Sequence, residues 1–165
     1  VNDNAPVFTS EATFNAAENQ TAIGTVTATD ADGDDITFTV SGSELAITSA
    51  GVLTFASAPN YETKSSYTAT VTASDGANST TQDITVNVTN GNDNSPSFTS
   101  EATFSAAENQ TAIDTVAATD ADGDDLSYSI DNTAIAIDAT SGVLTFVSAP
   151  DYETKSSYTA TVSAS

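Results

Sequence analysis

Asp30-Ala31-Asp32-Gly33-Asp34-Asp35 places four carboxylates within six residues, and Asp120 to Asp125 repeats that run letter for letter. A polar turn accounts for the Asp-Gly step, which favours hairpin turns. It does not account for like charges that repel one another at this spacing. A divalent cation removes the repulsion and uses the oxygens, and hard cations such as calcium take carboxylate and carbonyl ligands. The run is not an EF-hand loop. Its glycine is fourth instead of sixth, and its twelfth position is Ser41 instead of glutamate.

The rest of the composition narrows the chemistry further. The 165 residues carry 23 acidic side chains against two lysines, Lys64 and Lys155, for a formal net charge of −21. There is no Arg, His, Cys, Trp or Met. The usual general base, thiol nucleophile and zinc ligands are therefore missing. Carboxylate pairs of the glycosidase kind exist, but the Asp clusters fit metal sites better, and an enzyme is not expected. A charge of this sign repels phosphate backbones and anionic lipid, which argues against nucleic-acid partners. No run approaches the roughly 20 apolar residues of a membrane-spanning helix, so direct membrane insertion is not expected. No apolar core follows a basic start, and the chain reads as a mature protein or an excised fragment. Disorder is the bland explanation for such acidity. Against it, 38% of residues are hydrophobic and they are patterned.

The elements that would hold these carboxylates repeat. Asn2-Asp3-Asn4 recurs as Asn92-Asp93-Asn94, and Ser10 to Phe14 recurs as Ser100 to Phe104, both 90 residues on. From Gly51 the offset is 91: Gly51 to Phe55 matches Gly142 to Phe146, and Tyr61 to Tyr67 matches Tyr152 to Tyr158. The two units are expected at 1–90 and 91–165. Nothing in the second matches Asp75 through Asn90, so both ends read as the middle of a longer array. Within a unit, Ile36-Thr37-Phe38-Thr39-Val40 and Ile84-Thr85-Val86-Asn87-Val88 alternate apolar and polar side chains, as half-buried strands do. Seven strands are expected in the first unit, near 6–14, 23–29, 36–40, 45–48, 52–55, 67–73 and 80–88. That number and spacing fit an antiparallel sandwich. Without its last strand, the second unit is expected to expose backbone and core.

In order along the chain stand Ala17-Glu18-Asn19, Thr29-Asp30-Ala31-Asp32, Gly51-Val52-Leu53, Pro59-Asn60-Tyr61-Glu62, Ala73-Ser74-Asp75-Gly76 and Asn90-Gly91-Asn92-Asp93-Asn94-Ser95-Pro96-Ser97-Phe98. This ordered set resembles the cadherin repeat, over essentially the whole chain. The Thr/Ala-rich, Arg-free copies are most similar to the cadherin-like repeats of large bacterial surface adhesins. The resemblance implies an all-β fold of tandem seven-stranded Greek-key β-sandwiches of immunoglobulin-like, cadherin type, the second lacking its last strand.

It also implies a ligand set, because in that family calcium binds between successive repeats. Carried over, Glu18 and Glu62 come from the first unit, then Asn90, the Gly91 carbonyl, Asn92, Asp93 and the Asn94 carbonyl from the linker. Asp120 and Asp122 come from the second unit. Asn60 and Asn90 stand where the family has Asp, so two or three ions are expected at this junction. Asn2, Asn4, Asp30, Asp32 and Asp75 could hold one more at the N-terminal end. Glu108, Asp151 and Glu153 would be empty or weakly occupied.

The function implied is a calcium-rigidified extracellular repeat of a secreted or cell-surface adhesion or extension protein. Its partners would be the neighbouring repeats of the same chain, with self-association or a surface polysaccharide as further candidates. Strand exchange through an N-terminal Trp is excluded, since the chain has no Trp. The alternative is a calcium-dependent carbohydrate-binding module, with Tyr61, Tyr67, Tyr152 and Tyr158 stacking on sugars. Strand tyrosines are more often core residues.

Overall fold

A computed structural model describes residues 2–165, so Val1 of the junction-like start lies outside the described residues. The chain forms two compact units, Val1–Gly91 and Asn92–Ser165. Gly91 thus falls in the first unit, not the second. All regular structure among the described residues is β.

Unit 1 contains β1 (Val7–Phe8), β2 (Thr13–Ala17), β3 (Ala22–Thr25), β4 (Ala28–Thr29), β5 (Thr37–Val40), β6 (Leu45–Ile47), β7 (Val52–Phe55), β8 (Ser66–Ser74) and β9 (Ser79–Thr89). One sheet has the order β2-β9-β8-β5 and the other β3-β7-β6, with β1 paired to β4. β8 and β9 form a long antiparallel hairpin, from Ser66 opposite Asn87 to Ser74 opposite Ser79. β2 runs parallel to the free side of β9, from Thr13 opposite Thr85 to Ala17 opposite Thr89.

Period-two alternation sends Val71 and Ala73 of β8, and Ile84, Val86 and Val88 of β9, into the core. There they meet Val26, Phe38, Leu45, Leu53 and Phe55 from the other strands. Phe55 meets Tyr67 edge-on at 5.1 Å, and the Lys64 ammonium lies 4.4 Å from the Tyr67 ring centroid.

The first two expected strands are each divided, so the seven expected stretches become nine segments. Both breaks have one cause. The Thr27 carbonyl accepts N–H groups from Thr9 and Ser10, at 2.8 and 3.2 Å, where the chain leaves β4. Thr85 N–H then donates to the Ala12 carbonyl at 2.8 Å, and the chain continues as β2 on the other sheet. Between β3 and β4, Val26 turns inward and its N–H goes to the Gly51 carbonyl at 2.8 Å.

Unit 2 contains β10 (Ser97–Phe98), β11 (Ala112–Thr115), β12 (Ala118–Thr119), β13 (Tyr128–Ile130), β14 (Ile135–Ile137), β15 (Val143–Phe146) and β16 (Val162–Ala164). Its sheets are β11-β15-β14, β10-β12 and β13-β16. Nothing stands where β9 stands in unit 1. As a result residues 103–107, the copy of β2, form no strand, and β16 is three residues long where β8 has nine. Burial follows: Leu144 and Val116 are the buried hydrophobic residues of this unit among those described.

Gly51 is the tightest backbone approach in unit 1. Its φ is +88°, and a Cβ there would lie 2.2 Å from the Val26 carbonyl oxygen. Gly42 has φ +80° with open space around it. Gly42→Ala should therefore cost only the left-handed strain of about 1–2 kcal/mol. Gly51→Ala should cost distinctly more, since backbone must also move. Urea unfolding of the two variants checks this, and equal midpoints would overturn it.

Candidate metal centres

The Asp30 run is the loop between β4 and β5. Asp30 Oδ1 accepts the Asp32 N–H at 2.8 Å, and Gly33 takes φ +84°, which folds the loop back on itself. Asp32 Oδ2 accepts the backbone N–H groups of Asp3 and Asn4, both at 2.9 Å. Asn4 Nδ2 donates to both Asp32 oxygens at 3.1 Å.

The β8–β9 turn joins this group. Asp75 Oδ1 accepts the N–H groups of Ala77 and Asn78, at 2.8 and 2.6 Å. Asn78 Nδ2 donates to Asn2 Oδ1 at 3.0 Å and to the Asn4 carbonyl at 3.1 Å. Asn2, Asn4, Asp30, Asp32 and Asp75 are thus brought into one network. Asn78 was not among the residues expected here, nor was Asp34, whose carboxylate lies within 4.8 Å of those of Asp30 and Asp32. Asp34 was visible as part of the run. Asn78 had no sequence signal beyond lying three residues after Asp75.

The donors are unevenly shared. N–H groups, led by that of Asn4, hold the Asp32 carboxyl below its ordinary value, and the Asn78 N–H does the same for Asp75. The Asp34 carboxyl is pushed up, first by desolvation and then by Asp30, Asp32, Asp75 and Asp35. Asp30 Oδ2 is buried and has no hydrogen-bond donor. A buried carboxylate oxygen without a partner is costly, and a cation relieves it.

Unit 2 builds the same loop. Asp122 Oδ2 accepts the N–H groups of Asp93 and Asn94 at 3.0 and 2.8 Å, and Asp122 N–H donates to Asp120 Oδ1 at 2.9 Å. Asn94 Nδ2 donates to Asp122 Oδ1 at 2.9 Å. The carboxylates of Asp120, Asp122 and Asp124 lie within 4.8 Å of one another. Asn92 is exposed.

At the far end of β9 in unit 1 stands Glu18, 6% exposed. Asn19 takes φ 61°, a left-handed conformation that Asn tolerates, and its N–H donates to the Pro59 carbonyl at 3.0 Å. That bend aims Glu18 back along the strand ends. Its Oε2 accepts the Tyr61 N–H at 2.9 Å and its Oε1 the Gly91 N–H at 2.7 Å. Glu62 and Asn90 are exposed beside it in sequence. In unit 2, Asn109 repeats the bend at φ 61°, Glu108 accepts the Tyr152 N–H at 3.1 Å, and Glu108, Asp151 and Glu153 cluster within 4.8 Å. Tyr61 and Tyr67 pack against the core of unit 1, while Tyr152 is 64% exposed.

Residues 2–89 match a family model described as a bacterial Ig domain. The chain is 34% identical over 186 residues, 99% of its length, to human cadherin EGF LAG seven-pass G-type receptor 1, and it spans 6% of that receptor's length. Among solved structures, mouse cadherin-23 EC22-24 superposes with a TM-score of 0.81 at 26% identity, covering 99% of this chain and 60% of that one. The ectodomain of human desmocollin-1 superposes with a TM-score of 0.73 at 26% identity, covering 94% of this chain and 36% of that one. With the sandwich sheets and the bent Glu-Asn corner, these likenesses make the fold cadherin-like, and by its family match the chain belongs to the bacterial Ig domains.

Proposed function

We propose that this chain is a calcium-dependent repeat of an extracellular adhesion or extension protein. The observation that carries the reading is the buried, donor-less Asp30 Oδ2 among the carboxylates of Asp30, Asp32 and Asp34. Oxygen-only donor sets of this kind suit calcium and offer nothing to zinc or copper. Asn2, Asn4, Asp30, Asp32 and Asp75 hold one ion in unit 1, and Asp34 joins them. At the linker, Glu18, Glu62, Asn90, Gly91, Asn92, Asp93, Asn94, Asp120 and Asp122 hold two or three more, as their order along the chain and the cadherin resemblance support. The ions neutralise clustered carboxylates, and ligands drawn from both units stiffen the connection.

The desmocollin-1 match is to an ectodomain, which supports an extracellular setting. Extracellular calcium modules bind at about 0.1–1 mM, so such sites fill outside cells and empty in cytosol.

Millimolar calcium should raise the melting temperature and lengthen the particle in small-angle scattering. Magnesium should do so poorly, because it demands near-octahedral geometry and sheds water reluctantly. Identical melting and scattering with and without calcium would overturn the reading. A second prediction concerns Asp34. Folding raises its pKa, so the contribution of its charge is unfavourable above the ordinary carboxylate range and is relieved as pH falls through the raised value. Asp34→Asn should therefore raise the calcium-free melting temperature and shrink the increment that calcium adds. Differential scanning calorimetry at neutral pH, with calcium and with chelator, reads both changes.

A further inference from the structure

Unit 2 carries an open groove of about 480 Å³. Its apolar walls include Phe104, Leu144, Phe146, Tyr158 and Val162. The copies of these residues in unit 1 are Phe14, Leu53, Phe55, Tyr67 and Val71, all part of the core or packed against it. Leu53 and Val71 are 0% exposed there. What covers them is β9, through Ile84, Val86 and Val88, each 4% exposed or less. The same chain therefore shows, in its other unit, the shape and chemistry that complete this groove.

Two backbone edges border it. Residues 103–107 form no strand, whereas their copies in unit 1 pair in parallel with Thr85–Thr89. β16 pairs on one side only, with β13, and the copy of its second edge in unit 1 pairs with β9. Unpaired edges beside an apolar trough accept an added strand, with main-chain hydrogen bonds giving affinity and alternate side chains giving specificity.

We propose that the unit 2 groove is a strand-acceptor site. Its occupant is an extended polypeptide segment of β9 chemistry, with β-branched apolar side chains at alternate positions and small polar ones between. It lies parallel to residues 103–107 and antiparallel to 157–164. The residue in the place of Val86 sits opposite Phe104 and Tyr158, as Val86 does opposite Phe14 and Tyr67. Lys155, 4.3 Å from the Tyr158 ring centroid, borders the site and stays out of the strand's path. The site does not rest on calcium.

The test titrates a synthetic peptide of residues 79–90 into the unmodified, isotope-labelled chain in the presence of chelator. The expected result is saturable binding, a rise in the melting temperature, and hydrogen-exchange protection of amides in 103–107 and 157–164 by about tenfold or more. Amides of unit 1 should not change. A second peptide with aspartate at the places of Ile84, Val86 and Val88 keeps length and backbone and should not bind. No protection at those two edges, or equal binding of the aspartate peptide, would overturn the proposal.

Discussion

One strand closes unit 1, and most of what is ordered there depends on it. β9 lies between β2 and β8 and is hydrogen-bonded to both. Its three inward side chains occupy the space between the two sheets. The pairing with β2 is parallel and local to five residues, so it exists only while β9 is present as a template. Unit 2 shows the consequence in the same sequence background. The copy of β2 loses its strand, the copy of β8 shortens, and the copies of Phe55 and Val71 move from buried to half-buried.

The same strand separates the two groups of acidic side chains in unit 1. β9 has 11 residues and so spans about 35 Å at the usual rise per residue. Asp75 and Asn78 stand before its first residue, and Asn90 and Gly91 after its last. The strong net charge of −21 is thus not spread evenly over the surface. At both ends the carboxylates are held by backbone N–H groups: Asp32 and Asp75 at one, Glu18 at the other. Donors of this sort fix the oxygens in place and favour the ionised form, which is the form that a cation takes.

Much of this was legible from the residues. Strict alternation in Ile36–Val40 and Ile84–Val88 marked strands and their buried face. The ninety-residue repeat marked two units. The Asp30 run, with Asp-Gly at its centre, marked a loop rich in oxygen ligands. The division of the first two strands was not legible, because it depends on the Thr27 carbonyl accepting two N–H groups from a segment far away in sequence. Nor was Asn78, whose side chain matters only because the β8–β9 turn carries it to Asn2 and Asn4.

By itself, then, the sequence determined the elements, the face each strand buries and the oxygen chemistry of the loops, because periodicity and residue type are local properties. The tertiary structure alone decided which oxygens share a site, which of them lacks a donor, and how far each core is covered. These outcomes depend on contacts between residues tens of positions apart. Asp30 Oδ2 is short of a donor because the nearby N–H groups already serve Asp32. Leu53 is sealed because β9 crosses it. Neither fact is present in any short stretch of the chain.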